Sequence, residues 1–452
     1  AILSKQPRSK GIQQNYSAVS LTVLLSGIKY WTTERANSLF MRILPISSGK
    51  GGVGKTTFAL NLALSLSKYH KTVLLDMDTG TSSLRHFVDL NFKNDLFHFF
   101  KRNCPLENCR TPLDKNIDPE NLFSNFSMIA SPKNFIHDIV NFSRENKSRL
   151  VQSINQLDAD YIIIDHKAGM DDDILDFLPT GNTGILIFTP KIKAATLSAA
   201  EMVKASLLRI FNVLLNLDNF GKSGREQLYK RELNALEKIM ADFEGNYSDD
   251  QNYDDLIDQI DESYQDKVIV QILKNYLKNY KVYFVLNQFN DVQESADKII
   301  NPFINRIYKT VSQNLSITNL GWIMEQKMVE KSAEYGIPYM VMKRYQKKEK
   351  KIEQDDFDTE LRRSLGLSPL PTKPREVIQK KNPSNEMDRQ LELLKDMYVQ
   401  DRRNDPEQNF NYIADRIKFI EKSSIHECGM KIVQTKEDIL NRFFSALKKT
   451  KR

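Results

Sequence analysis

Residues Arg42–Asp78 restrict the possible folds of this chain more than any other stretch. A short apolar run from Ile43 to Ile46 leads into Gly49–Lys50–Gly51–Gly52–Val53–Gly54–Lys55–Thr56, and an alanine- and leucine-rich stretch of helical character follows. Strand, glycine turn and helix in that order make a phosphate-binding P-loop. The glycines at 49, 51, 52 and 54 let the backbone curl until consecutive N–H groups point at one anion, and the helix start adds partial positive charge. Lys55 is the residue to hold the β- and γ-phosphates, and the Thr56 hydroxyl the one to complete a Mg²⁺ shell.

The loop also carries Lys50, at a position where an ordinary P-loop has no fixed charge. With Asp76–Met77–Asp78 after the next apolar run, the KGGVGKT pattern resembles the MinD/ParA family of dimerising ATPases. The resemblance implies that Lys50 reaches across a dimer interface to the partner's nucleotide, much as an arginine finger does. It also implies that Asp78 orients the attacking water, supported by Asp76, and that Gly49 to Thr57, Val53 included, wraps the phosphates of ATP.

Apolar runs recur with helical stretches between them: Ile43–Ile46, Val73–Leu75, Phe126–Ala130, Tyr161–Ile164, Gly184–Phe188, Val282–Leu286, Ile317–Ile323 and Tyr339–Met342. Short, non-alternating runs of this kind mark strands covered on both faces. The alternation predicts an α/β fold with a doubly wound, mostly parallel sheet, and places the ligand at the carboxyl ends of the strands. Asp165, at the end of Tyr161–Ile164, is in Walker B position, where a carboxylate reaches Mg²⁺ through water. His166 and Lys167 follow, where the family has a small residue and Pro or Gly. His166 has no second His or Cys at ligand spacing and is not a metal candidate.

Thr189–Pro190 and the helical stretch Lys191–Lys204 resemble the segment after the same strand in MinD and in flagellar-number regulators of the FlhG/FleN type. By the same resemblance Asn287 takes the place of the asparagine that contacts the base, and Leu320–Gly321–Trp322–Ile323 matches a family motif whose following proline is here Met324. A GTPase would show Asn–Lys–x–Asp, whereas the chain reads Asn287–Gln288–Phe289–Asn290, so ATP is the expected nucleotide.

At 452 residues, with 40% hydrophobic and 27% charged side chains, the chain is long enough for more than one domain. Residues 1–40 have basic residues ahead of a short apolar run, Ala18–Ile28, and are read as a poorly structured extension, with Met41 where a family member would begin. Residues 41–345 form the ATPase domain, with a helical insertion at about 212–279 flanked by amphipathic stretches Leu228–Met240 and Val268–Leu277. The insertion's Asp242–Asp266 segment holds no Lys or Arg and reads more readily as a solvated surface excursion than as a docking site. Residues 346–384, basic and then Pro-containing, make a linker, and 385–452 a helical C-terminal region.

That region ends in Glu437–Arg452, where Ile439, Leu440, Phe443, Phe444 and Leu447 share a helical face beside basic residues. Such a helix suits an anionic membrane surface, or docks on the body of the protein. Three cysteines, Cys104, Cys109 and Cys428, make no disulfide framework and fit a reducing cytoplasm. The net charge of +7 is compatible with anionic partners without requiring them. The expectation is a cytoplasmic, Mg²⁺-dependent ATPase, peripheral at the inner face of the cell membrane, that forms a homodimer with ATP and serves as a positional switch. A ParA-type ATPase binding DNA through basic patches such as Lys343–Lys351, and a nucleotide-binding scaffold for protein partners, are the alternatives.

Overall fold

The computed structural model describes residues 41–79, 84–134, 143–179, 181–215, 236, 238–245, 251–263, 267–290, 296–345 and 405–423. Seven of the apolar runs form strands: β1 (Arg42–Ser47), β2 (Thr72–Met77), β3 (Phe126–Ile129), β4 (Tyr161–His166), β5 (Asn182–Phe188), β6 (Lys281–Phe289) and β7 (Ser316–Met324). All pair in parallel, in the order β3-β2-β4-β1-β5-β6-β7. The strands are almost wholly buried because helices cover both faces, which is why their sequences do not alternate.

The pleat divides side chains between two cores. Leu44, Ile46, Leu74 and Ile163 enter the larger one, with α1 (Lys55–Ser67); Ile43, Val73, Ile162 and Ile164 enter the smaller, with α2 (Leu96–Arg102) and α3 (Arg144–Ile154). The larger core also takes α4 (Lys193–Leu215), α5 (Tyr253–Ser263), α6 (Lys267–Asn279) and α7 (Asn301–Thr310). Strand β1 lies between β4 and β5, so the chain switches sides across it. Its carboxyl end is where a doubly wound sheet opens a crevice for a ligand.

The eighth run, Tyr339–Met342, is not a strand: residues 339–345 are helical. Four apolar residues following a proline suit a buried helical turn as well as a strand, and only Val341 is β-branched. Pro338 starts the turn, its carbonyl accepting from the Val341 and Met342 amides. The Met340 amide donates to the side chain of Asn61 on α1 at 2.9 Å.

The acidic segment is also corrected. Within it α5 buries Tyr253, Leu256, Ile257 and Ile260 in the larger core, so this part is not a solvated excursion. Asp254 accepts from the Ser312 hydroxyl and the Gln313 amide, both at 2.8 Å, which ties α5 to the end of α7.

The C-terminal helix α8 (Pro406–Ser423) lies beyond the sequence boundary drawn at Tyr345, yet Phe410, Ile413, Ala414 and Ile417 enter the larger core. Its polar residues grip the same body. Asn411 accepts from Ser65 of α1 at 2.7 Å and from Lys68, which caps that helix, at 2.8 Å, and Asn409 accepts from the Met324 amide of β7. The expectations for residues 1–40, for 346–384 and for Glu437–Arg452 lie outside the described residues, as do residues 385–404 of the expected helical C-terminal region and most of Leu228–Met240.

Candidate functional site

The glycine loop leaves β1 at Ser47 and enters α1 at Lys55. Gly52 and Gly54 have φ of 77° and 80°, a left-handed backbone that other residues adopt at a cost. Gly49 and Gly54 admit close neighbours. A Cβ at Gly49 would lie 2.4 Å from the carbonyl oxygen of Ser198 on α4, and one at Gly54 2.3 Å from Asn287 Nδ2. Nothing lies within 4 Å of such an atom at Gly51 or Gly52, so the outer side of the loop is open. The Phe58 amide donates to the Gly54 carbonyl at 3.0 Å and begins the helix directly behind the loop.

The two loop lysines occupy opposite environments. Lys55 is buried, and its Nζ donates to Asp165 Oδ1 at 2.7 Å; Lys50 is exposed. A buried ion pair recovers little net stability after desolvation, so its presence here speaks more for a site than for the fold. Thr56 is buried beside Lys55, and Asp165 Oδ2 is buried with no hydrogen-bond partner among the described residues. An uncommitted carboxylate oxygen near a P-loop threonine fits the hydrated shell of Mg²⁺, which takes few ligands from protein and keeps its waters. Thr56 and Asp165 are thus the residues that would hold the metal.

Asp76 and Asp165 are opposed on the neighbouring strands β2 and β4. Burial, and then the charge of Asp165, push the Asp76 carboxyl up to about 7. Its Oδ1 accepts from the Asp78 amide at 2.9 Å, and its Oδ2 from the Ser131 hydroxyl at 2.8 Å. Asp78 is half-buried at the end of β2. His166 is buried with its ring 6.0 Å from that of Phe177, and burial together with the Lys55 charge lowers its pKa to about 3, so the ring is neutral at ordinary pH.

Asn287 lies against the loop itself. Its Nδ2 donates to the Val53 carbonyl at 2.8 Å, so it fastens the end of β6 to the P-loop backbone. That contact accounts for the lack of a side chain at Gly54. Around it, Thr189 donates to Gln288 at 3.1 Å, and Glu325 accepts from Lys191 and from Asn290, the latter at 2.7 Å. Those two donors hold the Glu325 carboxyl below the usual range. The carboxyl ends of β5, β6 and β7 are thereby joined beside the loop. Sequence reasoning gave no role to Ser131 or Glu325 and placed Lys191 only as the start of a helical stretch; for Glu325 the signal is its place directly after the Leu320–Met324 motif.

A glycine loop on the central strand, a buried lysine on a Walker B carboxylate and a pair of carboxylates ending β2 define a P-loop nucleotide-binding protein. Residues 41–172 match the family model described as "AAA domain". The putative septum site-determining protein MinD of Chlorella vulgaris is 29% identical over 154 residues, 34% of this chain and 52% of that protein. The corresponding protein of Oltmannsiellopsis viridis is 32% identical over 178 residues, 38% of this chain and 53% of that one. The matched part of the chain is thus similar to MinD proteins, P-loop ATPases of the MinD/ParA kind. The chain spans about half the length of the curated relatives it matches. Among solved structures, the septum site-determining protein MinD complexed with Mg-ADP from Pyrococcus horikoshii OT3 is 14% identical, with a TM-score of 0.38 over 66% of this chain and 88% of that one.

Proposed function

We propose that this chain is a slow, dimerising ATPase that acts as a positional switch, holding ATP and Mg²⁺ in the loop from Gly49 to Thr57. The observation that carries the reading is the contrast between its two loop lysines: Lys55 is buried on Asp165, whereas Lys50 stands exposed beside the open faces of Gly51 and Gly52. A buried lysine serves the phosphates of its own subunit, and an exposed one is free to meet a nucleotide held by a second copy. Mg²⁺, when bound, neutralises charge on the β- and γ-phosphates. Thr56 and Asp165 orient that charge, Lys55 binds the phosphate oxygens, and Asp78 positions water for attack while Asp76 supports it.

The positional role draws support from the relatives, whose names give septum siting as their task. Among the described residues no helix is long and apolar enough to cross a membrane. Glu437–Arg452 is the proposed attachment segment, on the cytoplasmic face. It follows α8 in the sequence, and α8 is packed on the ATPase body. One such helix binds weakly, and two linked in an ATP-bound dimer bind by effective concentration.

Cosedimentation with anionic vesicles and with DNA, each with and without ATP, tests this function. ATP-dependent recovery with vesicles, lost on deleting Asp438–Arg452, is the expected result. ATP-dependent recovery with DNA alone would replace the membrane role with a partition role, and equal recovery with and without ATP would remove the switch.

A further inference from the structure

The two oxygens of Asp76 serve different partners. Oδ1 receives the backbone N–H of Asp78, two residues on, at 2.9 Å, whereas Oδ2 receives the hydroxyl of Ser131 at 2.8 Å. Ser131 is fully buried at the carboxyl end of the edge strand β3. It is itself held from outside: its carbonyl accepts from Arg85 Nε at 3.3 Å and from Arg85 Nη2 at 3.1 Å.

Arg85 is fixed in turn. Its Nη2 donates to Asp95 Oδ2 at 2.6 Å, and its guanidinium lies 4.8 Å from the centroid of Phe92. Asp95 is the N-cap of α2, its Oδ1 accepting from the Phe97 amide at 3.0 Å and the His98 amide at 3.4 Å. A continuous run of hydrogen bonds therefore links a helix cap on the smaller core, through Arg85 and Ser131, to the carboxylate beneath Asp78.

Asp76 is fully buried, and each of its oxygens accepts from the protein. Its reach into the site is through the Asp78 backbone, and the orientation of its carboxylate is set by Ser131. We propose that Ser131 and Arg85 are positioning residues for hydrolysis, acting through Asp76 to fix the place of Asp78. The proposal rests on the reading of Asp78 as the residue that orients the attacking water. Neither residue is required to touch nucleotide, so their effect falls on turnover and not on binding. The guanidinium grips the Ser131 carbonyl through Nε and Nη2 while Nη2 also meets Asp95, a fixed fork that the single nitrogen of a lysine does not reproduce.

The test uses the full chain with mant-ATP affinity, kcat and KM for ATP measured on the same samples. Ser131→Ala is expected to lower kcat about tenfold or more, the scale on which small misplacement acts, with KM and mant-ATP affinity within about twofold of wild type. Ser131→Thr, which keeps the hydroxyl, is expected to restore most of the rate. Arg85→Lys is expected to lower kcat in the same direction, and combining it with Ser131→Ala to add little, because both act on one run of bonds. Should Ser131→Ala not fold, Arg85→Lys decides the matter by the same ratio. A wild-type kcat in Ser131→Ala, or a loss confined to KM, overturns the proposal alone. A wild-type chain that binds mant-ATP without hydrolysing ATP overturns the hydrolytic reading, and the proposal with it.

Discussion

Lys55 Nζ donates to Asp165 Oδ1 at 2.7 Å, joining the first residue of α1 to the end of β4 in the buried interior. The pair brings together the two motifs that sequence separates by more than a hundred residues. It also has an energetic consequence, because removing one partner leaves a buried charge uncompensated.

Lys55→Ala is accordingly expected to abolish ATP binding and to destabilise the protein by roughly 3–5 kcal/mol, the usual cost of breaking a buried pair. Isothermal calorimetry and urea denaturation measure the two effects. The double variant Lys55→Met with Asp165→Leu is expected to recover much of the stability and none of the binding. Wild-type ATP affinity in Lys55→Ala would remove the P-loop assignment.

Asp76 supplies a pH dependence with a definite sign. Its folded pKa, about 7, is raised from the ordinary 3.8, so the folded state holds the proton more tightly than the unfolded chain. Its contribution to stability is therefore fully present below pH 3.8 and is lost as pH rises through about 7. Asp76→Asn, which cannot ionise, is expected to melt higher than wild type at pH 8, with the difference shrinking as pH falls. Melting curves across that range measure it, and a difference independent of pH would contradict the account.

The C-terminal helix is expected to behave as core. Ile413→Ala on α8 is expected to cost about 2–5 kcal/mol, as for a large-to-small change in a packed interior. Exposed Asp415→Ala on the same helix is expected to cost less than about 0.5 kcal/mol. Equal, small effects for both in urea denaturation would make the helix a loosely attached appendage.

The glycine loop and seven of the strands were legible because each combines a local pattern with a required neighbour: a turn with a following helix, an apolar run with bounding polar residues. Tyr339–Met342 misled because a four-residue apolar run has no period long enough to separate strand from buried helix. The division at Tyr345 misled for a different reason. The residues of α8 show a helical stripe at Ile413 and Ile417, but nothing in their sequence says that the surface they cover is α1 and β7. Asn287 was singled out by resemblance, and its bond to Val53 belongs to the folded geometry alone. Ser131 was invisible, since a single serine after an edge strand carries no pattern.

The central claim, that Lys50 completes a site on a second copy, is tested most directly by the molar mass of the Asp78→Ala chain in light scattering with Mg²⁺ and ATP. Asp78→Ala is expected to bind ATP, stall before hydrolysis and double in mass. Adding Lys50→Ala is expected to return the mass to that of the monomer while ATP affinity by calorimetry stays the same. A Lys50→Ala, Asp78→Ala chain that still doubles in mass with ATP, or an Asp78→Ala chain that stays monomeric when saturated with it, would contradict the account.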